Sequence, residues 1–522
     1  MEVRGPVLLR RHSLLLVAVL VPCLVAGCTA GPSKRPAVVE NDEHSATSTT
    51  SAPQVVPLPA LTEPQSPSVD WSDCDEQTRG RIEPPAPPGT LKFSCATVGS
   101  VLDSPDLPGR IQTHIALLKA GSGPIPLVVL NDIEGESGTL YAAHLAALLP
   151  SALLQRFSLI GMDRRGTGDS DPVGCVPGDV RGTLLSQDPA GGDQEAVLDA
   201  ARRAGQQCAI ELGSTQQALD SWRTAGDLDQ VRDELGVPKL NAIARGEASD
   251  VLAAYANRYP GRIGRVVLDG IPDPSSDEAT VLGDLAAAQQ ATLDAFAADC
   301  AARGCPLGRD AAGAVTGLLD QLRVAPPSLG GGVPFTPGVA LNAILAGLEN
   351  PARWSELAAA IQAARTGNPT QLAAFVAPLI NTSQLTPSRL DGALATECND
   401  TATRLPANQL SALTDTLRKR FPLFGGLATQ RLLWCLPWPG RTSGTSSLGV
   451  AGLPPVFVAS TKTDPVTPEA GTVRAAEQMS SAARISWQGI GHGAMSSPCV
   501  GEAVRGFLVD GKVPVDGTLC PA

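Results

Sequence analysis

Two residues near the carboxyl end of this sequence, Asp464 and His492, have the types and positions that proton-transfer chemistry requires. Asp464 follows an apolar run in the stretch ASTKTDPVTP, and His492 follows the next apolar run in the glycine-flanked stretch GIGHGAM. Catalytic groups commonly lie on loops, and a histidine base needs an acid that orients its ring. We expect His492 at the position of a general base and Asp464 at that of its orienting acid, although an aspartate before Pro465 also suits a simple turn.

Two further histidines beyond the amino-terminal region fit a structural or surface role better. His114 lies within a strand pattern and His144 within a helical pattern. Neither has the open loop setting that a base needs to reach a substrate.

The elements that position these loops are predicted to be strands of a mostly parallel sheet covered by helices, an α/β architecture. Short apolar runs alternate with helical patterns from about residue 112 to 273 and again from residue 454 onward. The strand candidates are IQTHIALLKA, IPLVVLND, FSLIGMD, KLNAIA, RIGRVVLDG, PPVFVAST and ARISWQGI. Between residue 274 and about residue 437, Ala- and Leu-rich helical patterns replace the alternation and predict a helical insertion.

Composition argues against one large class of partner. At 522 residues the chain is too long for one ordinary domain. Its hydrophobic fraction of 43% is enough for a sizeable core. Its net charge is −12, and it has no cluster of basic residues with interleaved aromatics. We therefore expect no nucleic-acid partner, and no cofactor.

The amino-terminal residues predict export. Residues 1–27 combine a basic start, an apolar run and small residues before Cys28, as in a signal peptide. LVAGC resembles a bacterial lipobox, so we expect lipidation at Cys28 and a membrane anchor, with ordinary secretion as the alternative. Residues 28–68, rich in Ser, Thr and Pro, then predict a flexible tether.

Ten cysteines beyond Cys28 predict disulfides, because their number is even and the chain is expected to be exported. Their wide spacing makes a metal site improbable. The sequence does not determine their connectivity. As a hypothesis we pair neighbours in sequence: Cys74 with Cys95, Cys175 with Cys208, Cys300 with Cys305, Cys398 with Cys435, and Cys499 with Cys520.

A strand–turn–helix stretch, KLNAIARGEASDVLAAYANRYP, lies at the centre of a wider resemblance. Together with FSLIGMDRRGTGDSDP, ATECND and the tail from STKTDPVTP onward, it resembles the tripeptidyl aminopeptidase-like serine peptidases, which are exported α/β-hydrolases. The resemblance spans roughly residues 68–522. It implies an α/β-hydrolase core at residues 69–273 and 438–522, the second part being TAP-like, with a helical cap insertion at residues 274–437.

The resemblance places Gly246 where the family carries its nucleophile. Members have G-x-S-x-G at this turn, and alignment through AYANRYP puts residues 244–248 there. Glycine tolerates the strained backbone of such a turn, so we expect a turn that is built but empty. Ser249 lies about one helical turn further on and Glu247 points elsewhere from the apex, so neither is a good substitute nucleophile.

The resemblance also implies an altered oxyanion hole. The family carries a Gly-rich G-G-P-G stretch after the strand IPLVV. The positions concerned here are Asp132, Ile133, Glu134, Gly135 and, beside the apex, Glu247. Carboxylates next to a developing negative charge oppose it. Alternatively, these side chains face solvent and the backbone N–H groups still converge.

A cap motif suggests a site for a cation. In active relatives the cap helps to recognise the free amino terminus of a peptide, and ATECND resembles a motif there. Glu397 or Asp400 would hold an ammonium group, and Glu134 and Glu136 would also suit one. A solvated turn beside Cys398 is an equal alternative.

The sequence thus predicts a lipid-anchored α/β-hydrolase-fold protein of the cell envelope that is catalytically degenerate and binds a peptide, an amine or a protein partner. One alternative is an active exopeptidase or esterase with a non-standard nucleophile, or with a water activated by His492. A structural envelope protein is the other.

Overall fold

The computed structural model describes residues 56–522 apart from residues 83–88, 105–108, 110–111, 189, 192–193, 276, 330–332, 382–387, 402 and 441–448. The predicted signal peptide, Cys28 and most of the tether lie outside the described residues. Within the described part of the chain, no helix is long and apolar enough to cross a bilayer.

A ten-stranded sheet forms the centre of the molecule. Its spatial order is β1-β2-β3-β5-β4-β6-β7-β10-β11-β12. The pairs from β1 to β5 along this order are antiparallel, and the pairs from β5 to β12 are parallel. The strands are β1 Ser72–Asp73, β2 Phe93–Val101, β3 Gln112–Ala120, β4 Ile125–Leu130, β5 Phe157–Met162, β6 Leu240–Arg245, β7 Ile263–Asp269, β10 Val456–Thr463, β11 Ala482–Ile490 and β12 Thr518–Cys520; β8 Ser328–Leu329 and β9 Val333–Pro334 form a separate hairpin.

Helices cover both faces of the sheet, as predicted. The helices outside the insertion are α1 Asp75–Arg81, α2 Gly138–Leu148, α3 Ser151–Arg156, α4 Gly178–Leu184, α5 Gln194–Leu212, α6 Ser221–Glu234, α7 Ser249–Arg258, α18 Glu469–Glu477 and α19 Pro498–Leu508. Apolar residues of α2, α3 and α19 pack on one face, and those of α6, α7 and α18 pack on the other. Every residue of β4, β5 and β7 is buried, which explains why these strands read as continuous apolar runs.

All seven strand candidates are strands in the structure. The sequence analysis missed β2, whose run FSCATVGSV is interrupted by small and polar residues, and the short edge strands β1 and β12. Only three of the nine residues of β2 are fully buried, so this strand lacks the apolar signal of its neighbours.

The segment between β7 and β10 is mostly helical and covers the sheet edge at which the parallel strands end. Its helices are α8 Glu278–Arg303, α9 Ala311–Val324, α10 Pro337–Leu348, α11 Trp354–Arg365, α12 Thr370–Ala373, α13 Ala377–Ile380, α14 Arg389–Asp400, α15 Ala407–Arg420, α16 Phe424–Ala428 and α17 Gln430–Cys435. They share one hydrophobic cluster with α4 and α5, which precede residue 274. The helical layer therefore draws on two separate parts of the chain.

A buried ion pair joins these two parts. Asp391 of α14 is fully buried, and its carboxylate accepts hydrogen bonds from Arg181 Nε at 2.7 Å and from the backbone N–H of Cys175 at 2.8 Å. All five predicted disulfide pairs are present. Three of them, Cys175–Cys208, Cys300–Cys305 and Cys398–Cys435, lie in the same helical layer.

Candidate active site

Asp464 and His492 meet at the carboxyl ends of the adjacent strands β10 and β11. His492 Nδ1 lies 3.1 Å from both carboxylate oxygens of Asp464. Backbone N–H groups of Val466 and Thr467 donate to Asp464 Oδ1 at 2.8 and 2.9 Å, and that of Gly493 donates to Oδ2 at 3.1 Å. The acid is thus fixed by its own turn, which makes it both a turn residue and the partner of the histidine.

A sharp turn with Gly246 at its apex connects β6 to α7. Gly246 has φ of +55°, and residues 246–248 form one turn of 3₁₀ helix before α7 begins at Ser249. Ala244 and Ala248 on either side are fully buried. The backbone therefore adopts the strained strand-to-helix turn of a nucleophile elbow, with no side chain at the apex.

The space above Gly246 is filled by the carboxylate of Asp132, from the loop after β4. Asp132 Oδ2 lies 2.8 Å from His492 Nε2, and Asp132 Oδ1 accepts a hydrogen bond from the backbone N–H of Glu247 at 2.8 Å. A Cβ atom on Gly246 would lie 2.0 Å from Asp132 Oδ1. The turn itself thus carries no side chain at its apex, and a carboxylate from another loop occupies the space there.

Glu247 makes the reciprocal contact. Its Oε2 atom accepts from the backbone N–H of Ile133 at 3.2 Å and from Arg164 at 2.6 Å. Glu247 N–H follows the apex of the turn and Ile133 N–H belongs to the loop after β4, and in this fold the oxyanion donors come from these two places. Each of them is already bound to a carboxylate, so the alternative in which these side chains face solvent fails for Asp132 and Glu247.

The geometry requires a protonated His492. Both ring nitrogens face carboxylate oxygens, and only the imidazolium form has two N–H donors. Burial and the guanidinium of Arg245 disfavour that charge, but Asp464 and Asp132 outweigh them and raise the pKa of His492 to about 10. Burial likewise opposes ionisation of Asp132 and Asp464, but His492 holds the pKa of each below its usual value.

Arg245 holds the loop that carries His492 through a hydrogen bond to its backbone. The sequence did not predict this role of Arg245. One Nη2–H of Arg245 donates to the backbone oxygen of His492 at 2.9 Å, and its guanidinium lies 5.3 Å from the ring centre of Tyr141. Asp269, at the end of β7, accepts from the backbone N–H of Ala494 at 2.6 Å. The position of Arg245 inside the turn motif was the available signal, because a charged residue in a buried turn requires a partner.

The carboxylate of Glu397, in the cap, is linked through one arginine to Glu134 of the loop after β4. Arg431 of α17 bonds to Glu397 through one nitrogen and to Glu134 through another. Burial raises the pKa of Glu397, and its Oε2 atom is buried without a hydrogen-bond partner among the described residues. The Arg431 side chain is 48% exposed, so the guanidinium closes this acidic site from the solvent side. Sequence reasoning missed Arg431.

Asp400 contacts the core instead of facing the same arginine. Its carboxylate accepts from the hydroxyl of Ser221 at 2.7 Å, and burial raises its pKa to about 7. Glu397 and Asp400 both belong to the last turn of α14, so ATECND ends a helix and is not a solvated turn. Burial also raises the pKa of the nearby Asp250 well above its usual value, and the charges of Glu247 and Asp400 add to that effect.

The remaining candidates are engaged elsewhere. Glu136 bonds to His144 at 2.7 Å. His114 bonds to Asp171 at 3.2 Å, and both side chains are exposed. The hydroxyl of Ser249 donates to the backbone oxygen of Gly270 at 2.8 Å and is buried, so it does not serve as a nucleophile.

A cavity of 310 Å³ opens beside the oxyanion loop. Its lining comes from the loops after β4 and β5 and from the start of α14, and it includes Asp132, Ile133, Arg164, Asp169 and Arg389. The Asp132 side chain is 11% exposed. The carboxylate in the nucleophile's place is therefore accessible from this cavity.

The sheet order, the turn between β6 and α7 and the Asp464–His492 pair define an α/β-hydrolase fold, with glycine at the apex of the turn. Residues 421–520 match the family model described as TAP-like protein. Serine protease Hip1 of Mycobacterium tuberculosis is 27% identical over 484 residues, which cover 87% of this chain and 91% of that protein. Carboxylesterase B of Mycobacterium tuberculosis is 26% identical over 479 residues, covering 87% and 90%. Tripeptidyl aminopeptidase of Streptomyces lividans is 25% identical over 382 residues, covering 70% of each. These matches confirm the resemblance to the TAP-like serine peptidases.

Proposed function

We propose that this protein is a degenerate serine hydrolase that has lost acyl transfer and binds a cationic ligand, either an amine or the amino terminus of a peptide. The observation that carries the proposal is the position of Asp132, bonded at once to His492 Nε2 and to the N–H of Glu247. One side chain thereby occupies the nucleophile's place, one oxyanion donor and the base.

The proposed loss of peptidase activity follows from the size of the rate loss and from the protonation of the base. Removing a serine nucleophile costs on the order of 10⁶ in rate. In addition, the two carboxylates beside His492 raise its pKa and favour the protonated ring, which cannot act as a base. Since both oxyanion donors are also occupied, no part of the acyl-transfer machinery is available.

Cation binding is supported by the acidic site beneath the cap. Glu134 and Glu397 already hold one cation, the guanidinium of Arg431. Among the described residues Glu397 Oε2 still lacks a partner, and a buried acceptor without one is costly. A ligand ammonium group that donates to this oxygen would satisfy it, and the half-exposed Arg431 can rotate outward to admit the ligand.

The place of action belongs to the same proposal. We infer export and attachment to the outer face of a bacterial membrane through a lipid on Cys28, because of the sequence pattern of residues 1–28. Binding would then take place at the cell envelope.

Two assays test this function. Wild-type protein should not react with a fluorophosphonate, and it should be stabilised thermally by trialanine amide but not by N-acetyl-trialanine amide. Glu397→Gln should weaken trialanine amide binding about tenfold or more, since hydrogen bonds to charged groups contribute about 1.5–3 kcal/mol. Glu356→Gln, which removes an exposed carboxylate paired with Arg353, is the matched control and should bind normally.

Two results would contradict the proposal. Fluorophosphonate labelling of the wild type would show that a serine enzyme is present. Equal stabilisation by the free and the acetylated peptide would show that no ammonium group is recognised.

A further inference from the structure

The carboxylate of Asp132 is placed so that it could react as well as fill the space above Gly246. Its carboxylate borders the 310 Å³ cavity, its Oδ1 atom is held by the N–H of Glu247, and its Oδ2 atom lies 2.8 Å from a protonated His492. The arrangement therefore places an anionic oxygen at the wall of a cavity, in contact with a buried proton donor. Carboxylates serve as covalent nucleophiles in several enzyme classes.

We propose that Asp132 is a nucleophile that opens epoxides, with His492 as the proton donor. In the first step, Asp132 Oδ2 forms a bond to a ring carbon, and the bond between that carbon and the ring oxygen breaks. The electron pair of the broken bond goes to the ring oxygen, which takes the proton from His492 Nε2. The products are a 2-hydroxyalkyl ester of Asp132 and a neutral His492.

The second step uses the same atoms in their new charge states. Once Asp132 is esterified, only Asp464 still stabilises the imidazolium, so neutral His492 can act as a base. It takes a proton from a water whose oxygen attacks Asp132 Cγ, and the tetrahedral oxyanion accepts the N–H of Glu247. Collapse expels the alkoxide, which takes the proton of the added hydroxyl. The sum is epoxide plus water giving a diol, with Asp132 ionised and His492 protonated again.

The chemistry of the pair selects the substrate class. A carboxylate that attacks an ester or amide would form an anhydride, from which the enzyme carboxylate is the better leaving group, so that reaction reverses. Epoxide opening releases ring strain and needs an acid at the leaving oxygen, which the protonated His492 supplies. This inference goes beyond the proposed binding role and does not depend on Glu397 or Arg431.

Isotope labelling tests the inference directly. The full-length protein is incubated with styrene oxide in H₂¹⁸O and digested, and the peptide that contains Asp132 is analysed by mass spectrometry. We expect this peptide to gain ¹⁸O if the ester hydrolyses, or to carry the hydroxyalkyl group if hydrolysis is the slower step. Asp132→Asn should show neither, and His492→Ala should label at least about 10²-fold more slowly.

Asp179→Asn is the control, because Asp179 is an exposed carboxylate that pairs with Arg203 and is not part of the cavity lining. It should label as the wild type does. A wild-type peptide with neither ¹⁸O nor the hydroxyalkyl group overturns the inference, and so does labelling of the same peptide in Asp132→Asn. The wild-type result is read at Asp132 itself, so the test holds even if Asp132→Asn fails to fold. Trialanine amide binding is measured without epoxide, so failure here leaves the proposed binding function standing.

Discussion

Asp132 Oδ2 lies 2.8 Å from His492 Nε2, although the two residues are 360 positions apart in the chain. The histidine therefore donates to two carboxylates, one at each ring nitrogen. A base in this state has already taken its proton, and the carboxylate that holds it there also takes the place of the missing serine.

Replacing Asp132 with asparagine should lower the pKa of His492. The wild-type pKa of about 10 depends on two carboxylates that outweigh burial and Arg245, and Asp132→Asn removes one of them. NMR titration of the imidazole nitrogens measures this pKa. An unchanged titration of His492 would show that Asp132 does not stabilise the imidazolium.

The same interaction predicts how stability depends on pH. The pKa of His492 in the folded state lies above its ordinary value of 6.5, so its contribution is fully present below about pH 6.5 and is lost as pH rises toward 10. Urea unfolding should therefore show the wild type losing free energy of unfolding over this range, by up to about 1.4 kcal/mol per pH unit. Asp132→Asn should lose less, and an equal slope in both proteins would contradict the assignment.

Restoring the serine alone should not restore a hydrolase. In Gly246→Ser the new Cβ atom would lie 2.0 Å from Asp132 Oδ1, at a backbone φ of +55° that costs about 1–3 kcal/mol for a residue other than glycine. We expect a destabilised protein that does not react with fluorophosphonate. Gly246→Ser combined with Asp132→Gly frees both the serine and His492, and this double variant should be labelled.

His492→Ala in that double variant is the control, because it keeps the serine and removes the base. Labelling should then fall to the background. If Gly246→Ser alone reacts as fast as the double variant, Asp132 does not block the nucleophile's place.

The Arg164–Glu247 pair should be important for stability. Arg164 is 3% exposed, and its Nη1 atom lies 2.6 Å from Glu247 Oε2. Glu247→Ala leaves a buried charge without this partner and should cost about 3–5 kcal/mol of unfolding free energy. Glu356→Ala removes an exposed partner of Arg353 and should cost less than about 1 kcal/mol. Similar costs in urea unfolding would contradict this assignment.

The disulfides of the helical layer should differ in how much they contribute to the free energy of unfolding. Cys398–Cys435 closes a loop with a sequence separation of 37, and Cys300–Cys305 closes one of 5. The loop entropy removed from the unfolded chain predicts a stabilisation of about 4 kcal/mol for the first disulfide and about 2 kcal/mol for the second. Paired Cys→Ala variants, compared by urea unfolding, should reproduce that order, and the reverse order would show that packing dominates.

Much of the fold could be predicted because it depends on local patterns. Buried parallel strands such as β4 and β5 are continuous apolar runs, and the turn at Gly246 is marked by small residues between a strand and a helix. The strand β2 could not be predicted, because its alternation is broken by small and polar residues. The inclusion of α4 and α5 in the helical layer depends on packing between distant segments, which no local pattern records.

The sequence by itself determined the α/β architecture, the glycine at the turn and the loop positions of Asp464 and His492. Only the tertiary structure decided that Asp132 fills the vacant place, that Glu247 occupies the second oxyanion donor and that Arg431 bridges Glu134 and Glu397. The physical reason is that strands and turns follow from neighbouring residues, whereas a charged side chain finds its partner across loops that only the folded sheet brings together.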